Sequence, residues 1–225
     1  MSSEDINKNI IKYWKWIWNS DSFLSWIVAL VIIFVFVKFL FFPGLGFIMG
    51  TSLPLAGVES SSMDHQIVKD DFGRLGLCGP ENEKFRVNFN RYWDICGNWY
   101  EDKGITKEEF DDFPLSNGFS KGDILIVWGR FTPEIGDIII FKPNLESRAP
   151  RPIVHRIVSV TDEGGEKIYA TKGDHNEKQL SASNNLYKTD ETNIRDEQII
   201  GKVLFKIPLV GWVKIWFSSS FSKLA

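Results

Sequence analysis

Histidine and cysteine are scarce in this chain of 225 residues, which contains three histidines and two cysteines. No Cys-x-x-Cys pair and no His-x-x-x-His spacing occurs, although structural metal sites commonly use such spacings. The sequence therefore predicts no metal site. The two cysteines, Cys78 and Cys96, allow one possible disulfide, and the alternative of two buried reduced thiols stays open.

An excess of basic residues is also lacking. The chain has 26 lysines and arginines against 29 acidic residues, a net charge of -3 and a pI near 5.7. Because these basic residues are scattered rather than clustered, nucleic acid is a poor candidate for a partner. The sequence shows no internal repeat, and the only low-complexity segment is a short serine-rich tail at residues 218–225.

One apolar run is long enough to span a membrane. Residues 23–42 are apolar except for Ser25 and Lys38, and as a helix they would cover roughly 30 Å, the thickness of a bilayer core. A later apolar stretch, residues 207–217, is shorter and is interrupted by proline and glycine. The sequence therefore predicts a single transmembrane helix over residues 23–42.

Charge on the two sides of this run predicts its orientation. Residues 1–22 carry three lysines at helical spacing and an apolar stripe on another face, which is typical of an amphipathic interfacial helix. After Lys38 no basic residue appears until Lys69. The positive-inside rule then predicts that the N-terminus is cytoplasmic and that the chain after the helix is extracytoplasmic. The predicted location is the cell membrane, which the chain crosses once.

The remainder, residues 43–217, is predicted to form one exterior domain. Residues 44–58 are apolar with glycine and proline interspersed, which favours an extended segment. Residues 70–118 mix aromatic and charged side chains, and Thr106-Lys107-Glu108-Glu109 has the pattern of a helix capping box. We expect this region to be a partly helical insertion.

Short β-branched runs dominate after the insertion. Turn residues separate five of them, which predicts five strands and a mainly β fold. The predicted strands cover residues 124–128, 138–141, 153–160, 167–171 and 199–205.

Three motifs that could carry chemistry follow the apolar run in order. They are Ser60-Ser61-Ser62-Met63, then Ile153-Val154-His155-Arg156, then Thr171-Lys172-Gly173-Asp174. Together they supply a nucleophile, a general base and a base-orienting carboxylate, the groups that a serine needs to hydrolyse an amide at neutral pH. Each motif alone has a plainer interpretation, as a solvated loop, a core histidine and a turn.

This series of motifs resembles the type I signal peptidases of the archaeal and endoplasmic-reticulum branch, in which histidine replaces the lysine base of the bacterial enzymes. The resemblance implies a signal-peptidase-type β catalytic domain behind the membrane helix. It implies Ser62 as nucleophile, His155 as general base, and the Ser60 hydroxyl with the Ser62 amide as oxyanion hole. It implies no cofactor. Substrates would bind as extended strands beside the segment around Ser60 and residues 136–141.

The acid is the point at which the chain departs from the family. Members usually carry a second aspartate six residues after the Gly-Asp aspartate, and Leu180 stands there. Asp174 is the first candidate, and Asp190 is the alternative if residues 177–188 form an inserted loop. The remaining histidines, His65 and His175, are expected to be solvated loop residues.

The predicted function is that of a signal peptidase I, a serine endopeptidase that removes N-terminal signal peptides from exported preproteins at the outer membrane face. Preproteins and the lipid bilayer are the implied partners. The sequence does not indicate whether accessory membrane subunits are needed. The alternative is a non-catalytic, membrane-tethered β domain that binds peptides or partner subunits. Leu180 favours this alternative, whereas the presence of both Ser62 and His155 opposes it.

Overall fold

The computed structural model describes residues 3–66, 68–69, 75–78 and 87–208. The chain divides into a helical unit, Met1–Ile48, and a larger unit, Met49–Ala225. The tail at residues 218–225, the apolar stretch from residue 209 onwards and parts of the insertion lie outside the described residues.

The first unit consists of helices. Helix α1 covers Ser3–Asn19; helix α2, Phe23–Phe36, continues through a π-helical turn at Val37–Phe41 into α3, Phe42–Met49. The helical run Phe23–Met49 has 27 residues and is long and apolar enough to cross a membrane. As a helix it measures about 40 Å.

Residues 44–49 are helical. The expectation that residues 44–58 form an extended segment is therefore wrong for this first part. Pro43 lies in the first turn of α3 and has no N–H to donate to the preceding turn. The π-helical turn directly before it is the kind of local widening that accommodates such a missing bond. In the first turn of α2, Ser25 donates its hydroxyl to the carbonyl oxygens of Ser22 at 2.7 Å and Ser20 at 2.9 Å, so its polar group is satisfied by the main chain that precedes the helix.

The second unit is built on a six-stranded antiparallel sheet with strand order β1-β4-β8-β5-β6-β7. The five predicted strands are confirmed, with β6, β7 and β8 longer than expected. The strands of this sheet are β1 Leu55–Gly57, β4 Ile124–Trp128, β5 Ile138–Phe141, β6 Ile153–Glu163, β7 Glu166–Lys172 and β8 Ile199–Ile207. Strands β2, Val68–Lys69, and β3, Leu75–Gly76, form a separate two-stranded ladder.

Strand β5 is buried on both faces. Ile138 and Ile140 pack into one apolar cluster with Met63, and the alternate residues Ile139 and Phe141 pack into another. Because successive side chains of a strand point to opposite faces, a strand covered on both sides needs an uninterrupted apolar run. β5 is also paired on both edges, with β6 and β8, so the expectation that residues 136–141 offer a docking edge is wrong.

The insertion is partly helical, as predicted. Helix α4 covers Phe89–Glu101 and helix α5 covers Lys107–Asp112. The capping box is present: Glu109 N–H donates to the Thr106 hydroxyl at 3.2 Å, and Thr106 N–H donates to the Glu109 carboxylate at 2.8 Å. Cys78 and Cys96 form a disulfide with their Cα atoms 5.5 Å apart, which resolves the pairing that the sequence left open.

Candidate active site

Ser62 lies in a loop that follows β1 and is anchored by its neighbour. Met63 is 1% exposed and packs in the core of the sheet, while Ser62 itself is partly exposed. Phe119 N–H donates to the Met63 carbonyl oxygen at 2.9 Å, and His175 N–H donates to the Ser62 carbonyl oxygen at 2.9 Å. A buried side chain and two main-chain bonds thus fix the backbone of an accessible serine.

The hydroxyl of Ser60 lies close to that of Ser62. The two Oγ atoms are 3.2 Å apart, and either could be the donor. Ser60 is exposed, so its hydroxyl can turn from Ser62 towards a bound ligand. This position is compatible with the oxyanion role implied by the resemblance, which stays a prediction.

His155 approaches the Ser62 loop across Gly173. His155 lies on β6 opposite Ile139 and is 3% exposed. A Cβ atom added to Gly173 would lie 2.7 Å from His155 Nε2 and 2.7 Å from the Ser62 carbonyl oxygen. The absence of a side chain at residue 173 is therefore what lets the histidine and the serine loop meet, and the three sequence motifs converge at this point.

The carboxylate beside His155 was not predicted from the sequence. His155 Nδ1 contacts Oε2 of Glu191, which is fully buried. The signal that could have found it was weak: Leu180 indicated that the acid comes from elsewhere in the chain, and Glu191 directly follows the candidate Asp190.

Asp174, the predicted acid, lies in a different network. Its two carboxylate oxygens accept hydrogen bonds from Arg156 Nε at 3.0 Å and Nη2 at 2.7 Å, and Oδ1 also accepts from the Tyr100 hydroxyl at 3.2 Å. Burial raises the pKa of the Asp174 carboxyl, but the charge of Arg156 and hydrogen bonds from His65 and Arg156 outweigh it and hold the pKa well below its usual range.

Arg156 is fully buried and has all its donors occupied. Besides Asp174, its guanidinium donates to the carbonyl oxygens of Pro114, Leu115 and Gly136 at 2.9 to 3.1 Å. A buried charge is tolerated when it is paired and hydrogen-bonded. The Arg156–Asp174 pair therefore fastens the Gly-Asp turn to the end of the insertion and to Gly136.

Of the two remaining histidines, His65 is not the solvated residue expected from the sequence. His65 is 5% exposed, stacks on Tyr92 with ring centroids 3.7 Å apart and places Nε2 3.1 Å from Asp174 Oδ2. Burial lowers the pKa of His65, although Asp174 partly offsets this. His175 is partly buried, and its Nδ1 lies 2.8 Å from the Asp64 carbonyl oxygen. The expectation for His65 was wrong because its ring packs between Tyr92 and the Gly-Asp turn.

Asp190, the second candidate for the acid, stabilises its own turn. Its Oδ1 accepts from the Thr192 N–H at 2.9 Å and from the Thr192 hydroxyl at 2.7 Å.

Lys172 is fully buried and donates to the Gly173 carbonyl oxygen at 3.1 Å. Burial lowers the pKa of Lys172 to about 8, against the opposing charges of Asp174 and Glu191.

This arrangement suits proton transfer by a serine–histidine pair. One imidazole nitrogen contacts a buried carboxylate, and the other faces the loop that carries an accessible serine, as in serine hydrolases on unrelated folds. Among the residues that the structure describes, no group of three or more histidine, cysteine or acidic side chains could hold a metal ion.

Comparison with known proteins confirms the resemblance to the endoplasmic-reticulum branch. No family model matches the chain. Over 106 residues, 46% of its length, it is 38% identical to the signal peptidase complex catalytic subunit sec11 of Penicillium rubens, of which the match covers 57%. It is 35% identical to the SEC11 subunit of Colletotrichum graminicola, over 46% of this chain and 59% of the relative. It is also 35% identical to the SEC11 subunit of Eremothecium gossypii, over 47% of this chain and 62% of the relative. The chain thus spans about three fifths of the length of the curated relatives it matches.

Proposed function

We propose that this protein is a membrane-anchored serine endopeptidase of the signal peptidase I type, which removes N-terminal signal peptides from preproteins. The meeting of His155 Nε2 and the Ser62 loop at Gly173 is the observation that carries the proposal. The identity with catalytic subunits of signal peptidase complexes supports the substrate class.

The proposed reaction follows from the placement of the two imidazole nitrogens. A carboxylate at Nδ1 keeps the proton on that nitrogen, which leaves Nε2 with a free lone pair. Ser62 Oγ attacks the scissile carbonyl carbon and passes its proton to Nε2. The resulting imidazolium protonates the leaving amine as the C–N bond breaks, which leaves an ester on Ser62. A water molecule, deprotonated by Nε2, then releases the signal peptide and regenerates the serine.

Charge that develops on the carbonyl oxygen during both steps needs hydrogen-bond donors. We propose that the Ser62 backbone N–H and the Ser60 hydroxyl supply them. The 3.2 Å separation of the two serine hydroxyl oxygens supports this role, because a substrate carbonyl carbon bonded to Ser62 Oγ would hold its oxygen within reach of Ser60.

The start of β6 is the place that we propose for an extended substrate. Pairing between β6 and β7 begins at Arg156, so residues 153–155 are paired by β5 alone among the described strands. Glu59, next to the serine cluster, forms an ion pair with Arg151, just before β6. The segments before Ser60 and before His155 therefore face each other, and we propose that the substrate binds between them as an added strand, with small residues preceding the cut.

The proposed location is a membrane, with the N-terminus in the cytoplasm and the catalytic unit on the opposite side. The helical run Phe23–Met49 and the lysine distribution support it. The relatives are named as subunits of a complex, and we propose that accessory membrane subunits join this chain as well. A reporter fused after Ala225 tests the orientation, and activity of that reporter in the cytoplasm would contradict it.

Cleavage of a preprotein by the full-length chain in liposomes tests the function. We expect the parent protein to cut after a small residue, and the folded variants Ser62→Ala and His155→Ala to be inactive. Ser61→Ala is the matched control, because it removes a neighbouring hydroxyl and should keep parental activity. Binding of the preprotein without cleavage, or equal cleavage by Ser62→Ala, would instead support a peptide-binding module.

A further inference from the structure

We propose that Glu191, rather than Asp174 or Asp190, is the residue that positions His155 for catalysis. The inference rests on the proposed serine–histidine function and deepens it. It assigns the third member of the catalytic group to a residue type and a chain position that the sequence motifs did not indicate.

The carboxylate of Glu191 is held at both oxygens. Oε2 contacts His155 Nδ1 and lies 3.5 Å from the Thr171 hydroxyl, while Oε1 accepts from the Leu180 N–H at 2.7 Å. Glu191 is 0% exposed. A buried carboxylate with donors on both oxygens has its orientation fixed before substrate binds, which is what a positioning residue requires.

The backbone of Glu191 is fixed as well. Thr171 N–H donates to the Glu191 carbonyl oxygen at 2.8 Å, and Glu191 N–H donates to the Leu180 carbonyl oxygen at 3.0 Å. Three residues later, Tyr169 and Ile194 form an antiparallel bridge. The segment from Glu191 to Ile194 thus runs beside the outer edge of β7, and β7 in turn pairs with the strand that carries His155.

Strand geometry explains why Asp174 does not take this place. His155 and Arg156 are neighbours on β6, and neighbouring side chains on a strand point to opposite faces of the sheet. Arg156 holds Asp174 through two hydrogen bonds, whereas His155 contacts Glu191. Glu191 and Asp174 therefore contact side chains on opposite faces of β6.

Leu180 links this arrangement to the departure from the family pattern. Leu180 stands where members of the resembling family usually carry a second aspartate, and its main-chain N–H donates to the Glu191 carboxylate. The side chain of Glu191 thus reaches the backbone of the position at which the resembling family usually carries an acid. The return of the chain from residue 180 to 191 supplies a carboxylate to the same neighbourhood from a different segment.

The variant Glu191→Gln tests the proposal sharply. The Leu180 N–H requires an acceptor, so the new amide oxygen takes the place of Oε1 and the amide NH₂ turns towards His155 Nδ1. An amide donor there forces Nδ1 to act as acceptor and moves the imidazole proton to Nε2, where it blocks the base. An analogous Asp-to-Asn change in a serine protease lowers kcat by about 10⁴-fold through the wrong tautomer. We expect a fall in kcat of about 10³- to 10⁴-fold with little change in KM.

Two further variants separate positioning from simple structural support. Glu191→Asp retains a carboxylate and should keep far more activity than Glu191→Gln. The double variant Leu180→Asp with Glu191→Ala restores an acid at the family position and should recover part of the activity that Glu191→Ala loses. Asp190→Asn is the matched control: it neutralises the adjacent carboxylate, which bonds to Thr192, and should leave kcat within about threefold of the parent.

The tautomer of His155 gives a readout that does not depend on cleavage. In ¹⁵N-histidine-labelled full-length protein, at a pH where the imidazoles are neutral, we expect the proton of His155 on Nδ1 in the parent and on Nε2 in Glu191→Gln. His155→Asn identifies the signals, since only three histidines are present. A parental His155 protonated on Nε2, or a folded Glu191→Gln with near-parental kcat, would overturn the proposal.

These outcomes are distinct from a failure of the proposed function. If the parent does not cut preproteins, or if Ser62→Ala cuts them normally, the peptidase assignment falls, while the tautomer measurement still decides whether Glu191 positions His155. If Ser62 and His155 are essential and Glu191→Gln is active, only the positioning role falls.

Discussion

The main-chain N–H of His175 donates a 2.9 Å hydrogen bond to the carbonyl oxygen of Ser62. A second contact, between His175 Nδ1 and the Asp64 carbonyl oxygen, spans 111 positions of the sequence. Together the two contacts join motifs that are far apart in the chain. They explain why a Gly-Asp turn accompanies the serine and the histidine even though its aspartate contacts Arg156. The turn holds the Ser62 loop by its main chain, and its glycine leaves space for the imidazole of His155, the proposed base.

Gly173→Ala should therefore inactivate the protein. Its new Cβ would lie 2.7 Å from both His155 Nε2 and the Ser62 carbonyl oxygen, and neither contact is sterically possible without movement. Because a displacement of about 1 Å can cost on the order of 10² in rate, we expect kcat/KM to fall at least that far in the cleavage assay. Gly44→Ala is the control, since an added Cβ there meets nothing within 4 Å. Equal activity of the two variants would contradict the close approach.

Ser60→Ala should lower kcat more than it changes KM. If the Ser60 hydroxyl donates to the developing oxyanion, its loss should reduce kcat by about 10²- to 10³-fold. Ser60→Thr keeps a hydroxyl and should retain much of the activity, whereas Ser61→Ala should behave as the parent. A Ser60→Ala variant with unchanged kcat would leave the backbone N–H of Ser62 as the sole proposed donor in this loop.

The strands could be predicted from the sequence because local patterns determine them. The runs at Ile138–Phe141 and Ile153–Glu163 are β-branched and bounded by turns, and the capping box at Thr106 and Glu109 is a local signature. The helix that ends at Met49 was underestimated, because proline and glycine normally break helices and the π-helical turn was not visible in the sequence.

Only those residues of the candidate site that belong to short sequence motifs could be predicted. Ser62, His155 and Gly173 belong to short motifs, and the structure brings them together. Glu191 belongs to no motif: its place beside His155 depends on how residues 174–190 return to β7, which is a tertiary contact without a local pattern. The burial of His65 was missed for the same reason, because it depends on stacking against Tyr92 from the insertion.

Removal of the disulfide should destabilise the second unit. Cys78 and Cys96 are 18 positions apart, and closing a loop of about this length stabilises by about 3 kcal/mol through the entropy of the unfolded chain. The double variant Cys78→Ala with Cys96→Ala should lose about that free energy of unfolding in urea titrations of the full-length chain in detergent. Reduction of the parent should give a similar loss. A change below about 1 kcal/mol in both experiments would show that the insertion is held by other contacts.

Neutralising Asp174 should destabilise the fold rather than act on His155 directly. Asp174→Asn leaves the fully buried Arg156 without its anionic partner, and breaking a buried pair in this way typically costs about 3–5 kcal/mol. Urea titrations of the full-length chain at neutral pH measure this loss. Asp190→Asn, whose carboxylate bonds within its own turn to Thr192, should lose less than about 1 kcal/mol.

The pH dependence of stability gives the same prediction an independent test. The pKa of the Asp174 carboxyl is below its ordinary value of 3.8 in the folded protein, so the unfolded chain takes up a proton first as the pH falls. The stabilisation is thus fully present well above pH 3.8 and is lost progressively as the pH falls from there towards the lowered pKa of the folded state. The parent should lose stability through this acidic window, and Asp174→Asn should show a shallower slope there. Parallel slopes for the two proteins would contradict the ionised Asp174–Arg156 pair.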